Sequence, residues 1–304
     1  MGYQISYEPD RDIPDLAGKV FLITGGTNGL GRQTVLALSE HNPEHIYFTG
    51  RNERDAASLI GEIGPAKSTF IRCDQTSVSS VHGAAHKFLA LSKRLDVLIC
   101  NAGVMAIPPG LTKDGYELHF GINHLSHAVF IKYLLPVLQK TAEEHGEARV
   151  VSLASLAVAH TPAGGIVFDL LRTPQDDLGI TAKWMRYGQS KLANVLYTRE
   201  LAKRYPWLTT VSLEPGTVWT GLLSNLGFLD RIFLTLGTWG KTLRLEQGAY
   251  NSCWASTSNR KDLKSGGFYK PVGVEVGKIG YSEDEELAKT LWEWTENQID
   301  AFKL

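Results

Sequence analysis

Short runs of consecutive apolar residues recur along this 304-residue sequence, separated by longer segments with helical periodicity. A strand that is apolar at every position is covered on both faces, which is typical of a parallel sheet. The runs therefore predict a central sheet between two layers of helices. They are Val20–Thr24, Ile46–Thr49, Thr69–Cys73, Val97–Cys100, Val150–Leu153 and Val211–Glu214.

The segments between the runs predict helices, and strand–helix alternation produces right-handed crossovers. Pro136 is expected to end the fourth of these helices. The prediction is an α/β fold, one domain over residues 1–304 with a doubly wound parallel sheet of about seven strands and helices on both faces. The predicted helices are Arg32–His41, Glu53–Ile63, Val78–Ser92, Tyr116–Gln139, Trp184–Tyr205, Gln247–Thr257 and Glu283–Phe302, the last expected on the flank of the sheet.

A glycine-rich turn, Thr24-Gly25-Gly26-Thr27-Asn28-Gly29-Leu30-Gly31, lies between the first apolar run and the first predicted helix. Glycines there let the backbone approach the phosphates of a dinucleotide, and the following helix N-terminus provides N–H donors and positive potential. Surface turns are also rich in glycine, so the turn gains this meaning from its place between strand and helix. Its Gly-x3-Gly-x-Gly spacing is looser than G-x-G-x-x-G and indicates one branch of nicotinamide-binding, Rossmann-type folds.

Composition excludes several classes of function. The 31 basic and 32 acidic residues give a net charge of −1, which lacks the basic footprint of a protein that binds nucleic acid or anionic membranes. Three cysteines, Cys73, Cys100 and Cys253, have no metal-ligand spacing. We therefore predict no metal site and a reducing, cytoplasmic location.

The first 16 residues predict a polar arm that leads into the first strand, with neither a signal peptide nor a membrane anchor. Met1–Ser6 fits the bare M-G-x-x-x-[ST] pattern for N-myristoylation. Tyr3 is bulky for such a site, so lipidation of Gly2 is left open.

Residues 217–243 interrupt the alternation of strands and helices. The segment is apolar, but four glycines and the pair Asp230-Arg231 exclude a membrane span. It is either a buried connector or an apolar lid over a substrate pocket at the carboxyl edge of the sheet. We expect the lid, because long insertions of this kind are usually functional. Its apolar side chains then favour an apolar or aromatic substrate.

Tyr187 and Lys191 lie four residues apart in a predicted helix, so their side chains share one face. An isolated phenol with a pKa near 10 is only about one part in a thousand ionised at pH 7. A nearby ammonium group favours the phenolate and lowers that pKa, and the two groups then form a proton-transfer unit. Such a pair also arises by chance in a chain with eleven tyrosines, so it needs the support of other motifs.

Other motifs supply that support, and with them the chain resembles the short-chain dehydrogenase/reductase family, of the classical type, over nearly its whole length. The elements stand in the family's order: the glycine turn, Asn101-Ala102-Gly103, Asn123, Ser155, Tyr187 with Lys191, and Pro215-Gly216. Alone, Asn101 could cap a turn, Ser155 could end a strand and Pro215-Gly216 could be an ordinary turn. Their joint order makes coincidence negligible.

The resemblance implies a role for each element. Tyr187 would exchange the proton with the substrate, and Lys191 would stabilise its anion. Ser155 would hold the substrate oxygen, while Asn123 would hold a water in a proton relay. The residues that would bind the dinucleotide cofactor are Gly25, Thr27, Asn28, Gly29, Leu30, Gly31, Asn101, Ala102, Gly103, Tyr187, Lys191, Pro215, Gly216, Val218 and Thr220.

Two departures indicate a branch of the family. Ser155 and Tyr187 are 32 positions apart, wider than the family's usual interval. The segments Gly165–Asp169 and Ser190–Leu196 resemble the retinol-dehydrogenase-like branch, which includes fungal reductases of secondary metabolism. This sequence shows no membrane anchor, so the resemblance does not imply retinoid specificity.

Charge after the second strand predicts the cofactor. Arg51 follows the turn at Gly50, and no carboxylate occurs before Glu53. A carboxylate there would bind the ribose 2′-hydroxyl of NAD, whereas a guanidinium matches the 2′-phosphate of NADP(H). Arg51 could also be a solvated helix-start residue, but with Asn52 it favours NADP(H). By resemblance, Asp74 would bind the adenine amino group.

The sequence thus predicts an NADP(H)-dependent oxidoreductase that reduces an apolar or aromatic aldehyde or ketone to an alcohol. Two alternatives are kept: an alcohol dehydrogenase that acts on lipid or retinoid-like alcohols, and an NADP(H)-binding sensor or scaffold without turnover. The expected partner is a small carbonyl or alcohol substrate. A homodimer through the long fourth and fifth helices, as in classical relatives, is left open.

Overall fold

The computed structural model describes residues 6–179, 181–218 and 242–302, and an eight-stranded sheet forms its centre. The strands are β1 (Val20–Ile23), β2 (His45–Gly50), β3 (Ser68–Arg72), β4 (Val97–Cys100), β5 (Arg149–Leu153), β6 (Thr209–Leu213), β7 (Phe268–Lys270) and β8 (Val274–Glu275). Their order in the sheet is β3-β2-β1-β4-β5-β6-β7-β8, parallel throughout except for the short antiparallel pair β7–β8. The predicted doubly wound α/β fold is confirmed.

The helices cover both faces of the sheet, as the uninterrupted apolar strands require. They are α1 (Pro9–Asp12), α2 (Gly29–Ser39), α3 (Glu53–Ile63), α4 (Val78–Leu91), α5 (Leu118–Phe120), α6 (Ser126–His145), α7 (Ala182–Arg204), α8 (Leu245–Thr257) and α9 (Glu285–Ala301). One hydrophobic cluster includes side chains of α4, α6, α7 and α9, and the other includes side chains of α2, α3 and α8. None of the described helices is long and apolar enough to cross a bilayer.

The strand order reverses between β1 and β4, which both leave the core at the same carboxyl edge. Ligands of open α/β sheets bind in the crevice beside such a reversal. The glycine turn follows β1 there, Asn101 follows β4, and Ser155 comes two residues after the end of β5. Topology alone therefore brings three distant motifs to one edge.

Two predicted helix boundaries were wrong. Helix α2 begins at Gly29 rather than Arg32, because the Asn28 side chain caps it by accepting the N–H of Gly29. Pro136 does not end its helix, which continues to His145. A proline removes one backbone donor, whereas ten residues of α6 are buried against the sheet and α4, and such packing supplies most of a helix's stability.

Helix α9 packs mainly against α7 and α6 rather than directly on the sheet. Trp292 stacks on Tyr197 of α7 with ring centroids 4.9 Å apart, and Lys132 of α6 pairs with Glu296 at 3.0 Å. The buried residues of α9 are Ala288, Leu291, Trp292, Thr295 and Ile299. A homodimer through this part of α6 and α7 would have to displace α9.

Asp96, just before β4, ties the amino-terminal edge of the sheet together. Its side chain is 2% exposed and accepts hydrogen bonds from the Val20 amide at 2.9 Å, from Arg94 at 2.7 and 2.8 Å and from Lys19 at 3.1 Å. Burial alone would raise the pKa of Asp96, but these donors hold it below its usual value. The ionised Asp96 therefore stabilises the fold at pH values above the pKa that it has in the unfolded chain. This stabilisation is lost as the pH falls through the lower pKa of Asp96 in the folded chain.

We expect Asp96→Asn to lower the free energy of unfolding by about 2 to 3 kcal/mol, because the amide satisfies fewer donors and leaves two cations without their counter-ion. Urea denaturation at neutral pH measures the change. The exposed Asp177 provides the matched control, since Asp177→Asn should stay within about 0.5 kcal/mol of the parent chain. Equal stability of the two variants would contradict the stabilising role of the Asp96 hydrogen bonds.

Candidate active site

The glycine turn after β1 is held from behind by Asn101. The Asn101 side-chain amide donates to the carbonyls of Thr24 at 2.8 Å and Gly25 at 3.2 Å. In return, the Thr24 hydroxyl accepts the backbone N–H groups of Asn101 and Ala102, each at 2.9 Å. The Asn101-Ala102-Gly103 element therefore supports the glycine turn from behind.

The turn has the shape that a dinucleotide needs. Gly25 and Gly29 have φ values of +64° and +56°, in the left-handed region that favours glycine. A Cβ on Gly31 would lie 2.3 Å from the Gly25 carbonyl oxygen, so only glycine lets the backbone pass here. The N-terminus of α2 begins inside the turn at Gly29, where its N–H groups can bind an anionic group.

Four predicted catalytic residues converge at the carboxyl edges of β4 and β5. Lys191 Nζ donates to the Leu153 carbonyl at 2.8 Å and lies 5.8 Å from the centre of the Tyr187 ring. Ser155 is two residues beyond Leu153, and its hydroxyl contributes to the electrostatic environment of the Tyr187 phenol. Asn123 joins the group through Ser190, whose hydroxyl accepts from the Asn123 amide at 2.9 Å and donates to the Tyr187 carbonyl at 2.8 Å.

Asn123 lies in a π-helical turn, Gly121–Leu125, between α5 and α6. Its side-chain amide forms two hydrogen bonds with the Val104 backbone. The amide oxygen accepts the Val104 N–H at 2.8 Å, and the amide nitrogen donates to the Val104 carbonyl at 3.0 Å. Its backbone carbonyl accepts from His127 Nδ1 at 2.9 Å. Burial lowers the pKa of His127 to about 4, so this imidazole is neutral and its Nε2 accepts from Thr24 or Gln75. Asn123 is thereby fixed from both sides.

The electrostatics of Tyr187 and Lys191 differ from the sequence-based expectation. Burial raises the pKa of Tyr187, Glu214 raises it further, and the Ser155 hydroxyl opposes both. Burial also lowers the pKa of Lys191 to about 8, against the opposing attraction of Glu214. The predicted lowering of the phenol's pKa was wrong, because removal of the phenol from water, with Glu214 nearby, outweighs the opposing effect of the Ser155 hydroxyl. Tyr187 is therefore protonated at neutral pH.

Three arginines line a shallow pocket after β2. Arg51 and Arg54 flank Asn52, and Arg72 ends β3 opposite Gly50 in the parallel register. The Asn52 side chain caps α3 by accepting the N–H groups of Arg54 and Asp55, at 3.0 and 3.3 Å. Sequence reasoning identified Arg51 and Asn52 but missed Arg54 and Arg72. The β2–β3 register that brings Arg72 to this pocket is not visible in the sequence.

The Asp74 carboxylate, after β3, is already held by several donors. It accepts from Thr76 N–H at 3.0 Å, from the Thr76 hydroxyl at 2.8 Å and from Lys113 Nζ at 2.8 Å. Burial opposes ionisation, yet the Lys113 and Thr76 bonds keep the pKa of Asp74 below its usual value. The carboxylate has about four lone-pair sites, which leaves room for one further donor.

The ends of the predicted lid meet beside the Pro215-Gly216 turn. Gly216 has a φ of +87°, and a parallel bridge joins Val218 to Leu243, with the Leu243 N–H donating to the Thr217 carbonyl at 2.8 Å. The rest of the lid prediction, residues 219–241, and with it the predicted cofactor residue Thr220, lie outside the described residues.

A buried charged network beside Tyr187 was missed by sequence reasoning. His119 Nδ1 donates to Glu117 at 2.8 Å while His119 Nε2 accepts the Ile107 N–H at 3.2 Å. Arg186, which precedes Tyr187, lies 3.4 Å from Glu117 and donates to the carbonyls of Gln175 and Ile107. The network connects the loop after β4, the insertion between Ser155 and Tyr187, and α7. Charged residues within apolar helical patterns were the only available signal.

Glu214 was predicted only as the end of a strand. Its buried carboxylate accepts the Leu156 N–H at 2.6 Å and the Gly216 N–H at 3.1 Å.

Among the residues that the structure describes, no group of three or more His, Cys, Asp or Glu side chains is arranged to hold a metal ion.

Comparison with known proteins connects this geometry to a family. The sequence profile of the short chain dehydrogenases matches residues 19–168. An uncharacterised oxidoreductase of Schizosaccharomyces pombe is 36% identical, over 96% of this chain and 88% of its own. Human retinol dehydrogenase 11 is 31% identical, over 91% of this chain and 85% of its own.

Solved structures share the fold. A carbonyl reductase from chicken fatty liver, in a complex with NADPH, aligns with a TM-score of 0.63 and 23% identity over 86% of this chain and all of its own. A 3-ketoacyl-(acyl-carrier-protein) reductase of Brucella melitensis, in a complex with NADH, gives a TM-score of 0.66 and 21% identity over 85% of this chain and 98% of its own.

The burial of Lys191 predicts a pH-dependent stability. Its pKa is about 8 in the folded chain and 10.5 as the reference value, so the unfolded chain binds more protons between these values. Stability must then rise with pH across that window. We expect the unfolding free energy of the parent chain, minus that of Lys191→Met, to increase by about 2 to 3 kcal/mol from pH ~8 to ~10.5.

Urea denaturation of the cofactor-free protein at several pH values measures this difference. The lost hydrogen bond to Leu153 shifts the curve vertically without changing its slope. Lys270→Met, at the exposed end of β7, is the matched control and should give a flat difference. A flat difference for Lys191→Met as well would show that its ammonium group is not penalised by burial.

Proposed function

This chain belongs to the short-chain dehydrogenase/reductase family, in the branch that contains retinol dehydrogenases and fungal reductases, and we propose that it reduces a carbonyl compound to an alcohol with NADP(H). It is an oxidoreductase of that family, whose members use a nicotinamide cofactor. The observation that carries the proposal is the buried Tyr187 phenol, protonated at neutral pH, between Ser155 and Lys191. A protonated phenol is the acid that carbonyl reduction requires.

The residues divide the work of the reaction. Ser155 donates a hydrogen bond to the substrate oxygen, which orients the carbonyl and stabilises developing negative charge. Tyr187 gives its proton to that oxygen, and the nearby Lys191 ammonium stabilises the phenolate that remains. Asn123 keeps the loop at Val104 and the helical turn of Tyr187 in place. The cofactor, when bound, supplies the hydride.

The glycine turn fits the pyrophosphate of that cofactor. Gly25, Gly29 and Gly31 leave room for close backbone approach, and α2 presents its N-terminus. Thr27, Asn28, Leu30 and the Asn101–Gly103 element would complete this part of the site, with Asp74 at the adenine. On the other side, Pro215, Gly216 and Val218 would face the nicotinamide.

NADP(H) is favoured by the arginine pocket. Arg51, Arg54 and Arg72 bring three guanidinium groups to this pocket. The one carboxylate that lines it, Glu53, lies 3.9 Å from Arg72 and is 72% exposed. Guanidinium groups match the oxygens of a phosphate, whereas selection for NAD places a carboxylate at the ribose. The pocket therefore supports a 2′-phosphate site, with Arg72 as a contributor that motif reasoning did not include.

An apolar or aromatic substrate is supported by the loop after β4. Val104, Met105 and Ile107 are half-buried and follow directly on Gly103, whose neighbours include Asn123 and Lys191. We further propose a cytoplasmic location, which the buried, reduced thiols of Cys73, Cys100 and Cys253 support. Any homodimer would use a face other than the one that α9 covers on α6 and α7.

Oxidation of lipid or retinoid-like alcohols is the second candidate, and the similarity to human retinol dehydrogenase 11 favours it. Steady-state rates with NADPH and a panel of aldehydes and ketones, compared with NADP⁺ and long-chain alcohols, distinguish the two. A sensor or scaffold would bind NADPH and turn over neither panel.

Tyr187→Phe should lower kcat for carbonyl reduction by about 10² to 10⁴-fold, because it removes the acid and leaves the binding groups in place. NADPH binding, followed by its fluorescence, should be weakened only slightly, because Tyr187 is one of many residues expected to contact the cofactor. Tyr133→Phe removes the hydroxyl of a tyrosine on α6, away from the site, and should retain full activity. A fully active Tyr187→Phe variant would remove the phenol from the mechanism.

Arg51→Ala and Arg72→Ala should each weaken NADPH binding by about 10 to 100-fold, equivalent to about 1.5 to 3 kcal/mol for a lost charge-assisted hydrogen bond. NADH binding should change by less than about threefold, because NADH lacks the 2′-phosphate. Fluorescence titration of both cofactors measures the two constants. Arg260→Ala, an exposed arginine elsewhere, serves as the control. Equal losses for both cofactors would exclude phosphate recognition.

A further inference from the structure

Glu214 occupies a position where a carboxylate is costly. It follows β6 at the carboxyl edge of the sheet and is only 6% exposed. A buried carboxylate loses its hydration, so it persists only where donors or cations replace the water. Its presence among the proposed catalytic groups therefore calls for a physical explanation.

The two carboxylate oxygens join two separate turns. Oε2 accepts the Leu156 N–H at 2.6 Å, next to Ser155, and Oε1 accepts the Gly216 N–H at 3.1 Å. Bonds from N–H groups to an ionised carboxylate are stronger than neutral ones. Glu214 thus sets the distance between the turn that carries Ser155 and the turn at Pro215-Gly216.

The backbone of Glu214 is fixed as firmly as its side chain. Its N–H donates to the Tyr269 carbonyl of β7 at 2.8 Å, and its carbonyl accepts from the Asn251 amide of α8 at 2.8 Å. These bonds fix the backbone position from which the Glu214 side chain reaches the two turns.

The groups around Glu214 respond to its charge. Helix α7 presents Tyr187 and Lys191, the turn after β5 presents the Ser155 hydroxyl and the Leu156 amide, and the turn after β6 presents the Gly216 amide. Glu214 disfavours a second negative charge on Tyr187 and favours the positive charge on Lys191. Burial raises the pKa of Glu214 itself, while the amides, Ser155 and Lys191 oppose that rise.

We propose that Glu214 is a positioning residue that holds the Ser155 turn against the Pro215-Gly216 turn, and that its negative charge makes ionisation of the nearby Tyr187 phenol less favourable. This inference rests on the proposed carbonyl reduction. A neutral residue at position 214 would shift the site toward accepting a proton, which is the direction of alcohol oxidation.

Charge and geometry are separated by four variants. Glu214→Gln keeps the size and removes the charge, but its single oxygen leaves one of the two N–H groups without an acceptor. Glu214→Asp keeps the charge and both oxygens but shortens the reach to Leu156 and Gly216. Glu214→Asn and Glu214→Asp repeat the neutral–charged comparison at equal size, which preserves the test if Glu214→Gln does not fold. The matched control is Glu200→Gln, which alters a different buried carboxylate. Glu200 lies on α7 and pairs with Arg204.

The first readout is the pH profile of alcohol oxidation with NADP⁺, whose ascending limb follows ionisation of Tyr187. The limb should move to lower pH by about one unit in Glu214→Gln, within the range for removal of a neighbouring like charge. It should stay in place in Glu214→Asp, with a reduced kcat, and in Glu200→Gln. An unmoved limb in the neutral variants, or an equal shift in Glu214→Asp, would overturn the proposal.

The second readout needs no turnover. Tyrosinate absorbance of the cofactor-free protein, with the Tyr187→Phe spectrum in the same background subtracted, follows Tyr187 alone. Its ionisation should begin at lower pH in Glu214→Gln than in the parent chain. If no carbonyl is reduced but this shift is seen, the proposed function fails and the role of Glu214 stands; if reduction occurs without the shift, the reverse holds.

Discussion

One backbone carbonyl at the end of β5 joins helix α7 to the sheet. The Leu153 carbonyl accepts from Lys191 Nζ at 2.8 Å and from the Asn194 amide at 3.0 Å. A buried carbonyl beyond the last rung of a sheet needs a donor, and α7 supplies two of them one turn apart. This docking brings Tyr187, one turn before Lys191, to the edge where Ser155 follows β5.

The same docking explains the electrostatics of the site. Lys191 and Tyr187 leave water when α7 packs on the sheet, and burial disfavours the charged form of each. Glu214 acts on the two groups in opposite senses, because it shares the sign of a phenolate and opposes that of an ammonium group. The buried carboxylate therefore raises the pKa of the phenol and opposes the lowering of the lysine's pKa. The proposed proton donation uses this arrangement of a neutral phenol, a carboxylate and an ammonium group, with Ser155 as their hydrogen-bonding neighbour.

Local patterns predicted most of the fold and the members of the site. Uninterrupted apolar runs identified the first six strands, because a strand covered on both faces has apolar residues at every position. The start of α2 was missed because of a local cap at Asn28, whereas other failed predictions involved packing. Pro136 does not end its helix, since burial of α6 compensates for one missing donor. The pKa of Tyr187 is raised rather than lowered, since spacing in sequence contains no information on burial. Arg72 escaped notice because only the register of β2 and β3 brings it to Arg51.

The amino-acid sequence by itself determined the α/β fold and the glycine turn and indicated Ser155, Tyr187 and Lys191 as the candidate catalytic residues, because periodicity and motif order are local properties of the chain. Tertiary structure alone decided which partners these residues meet. Glu214, Arg186 and His127 form contacts with residues far apart in sequence, namely Leu156, Ile107 and Thr24, and the charge state of a buried group depends on all the elements packed around it. That dependence is three-dimensional, so no linear pattern could have revealed it.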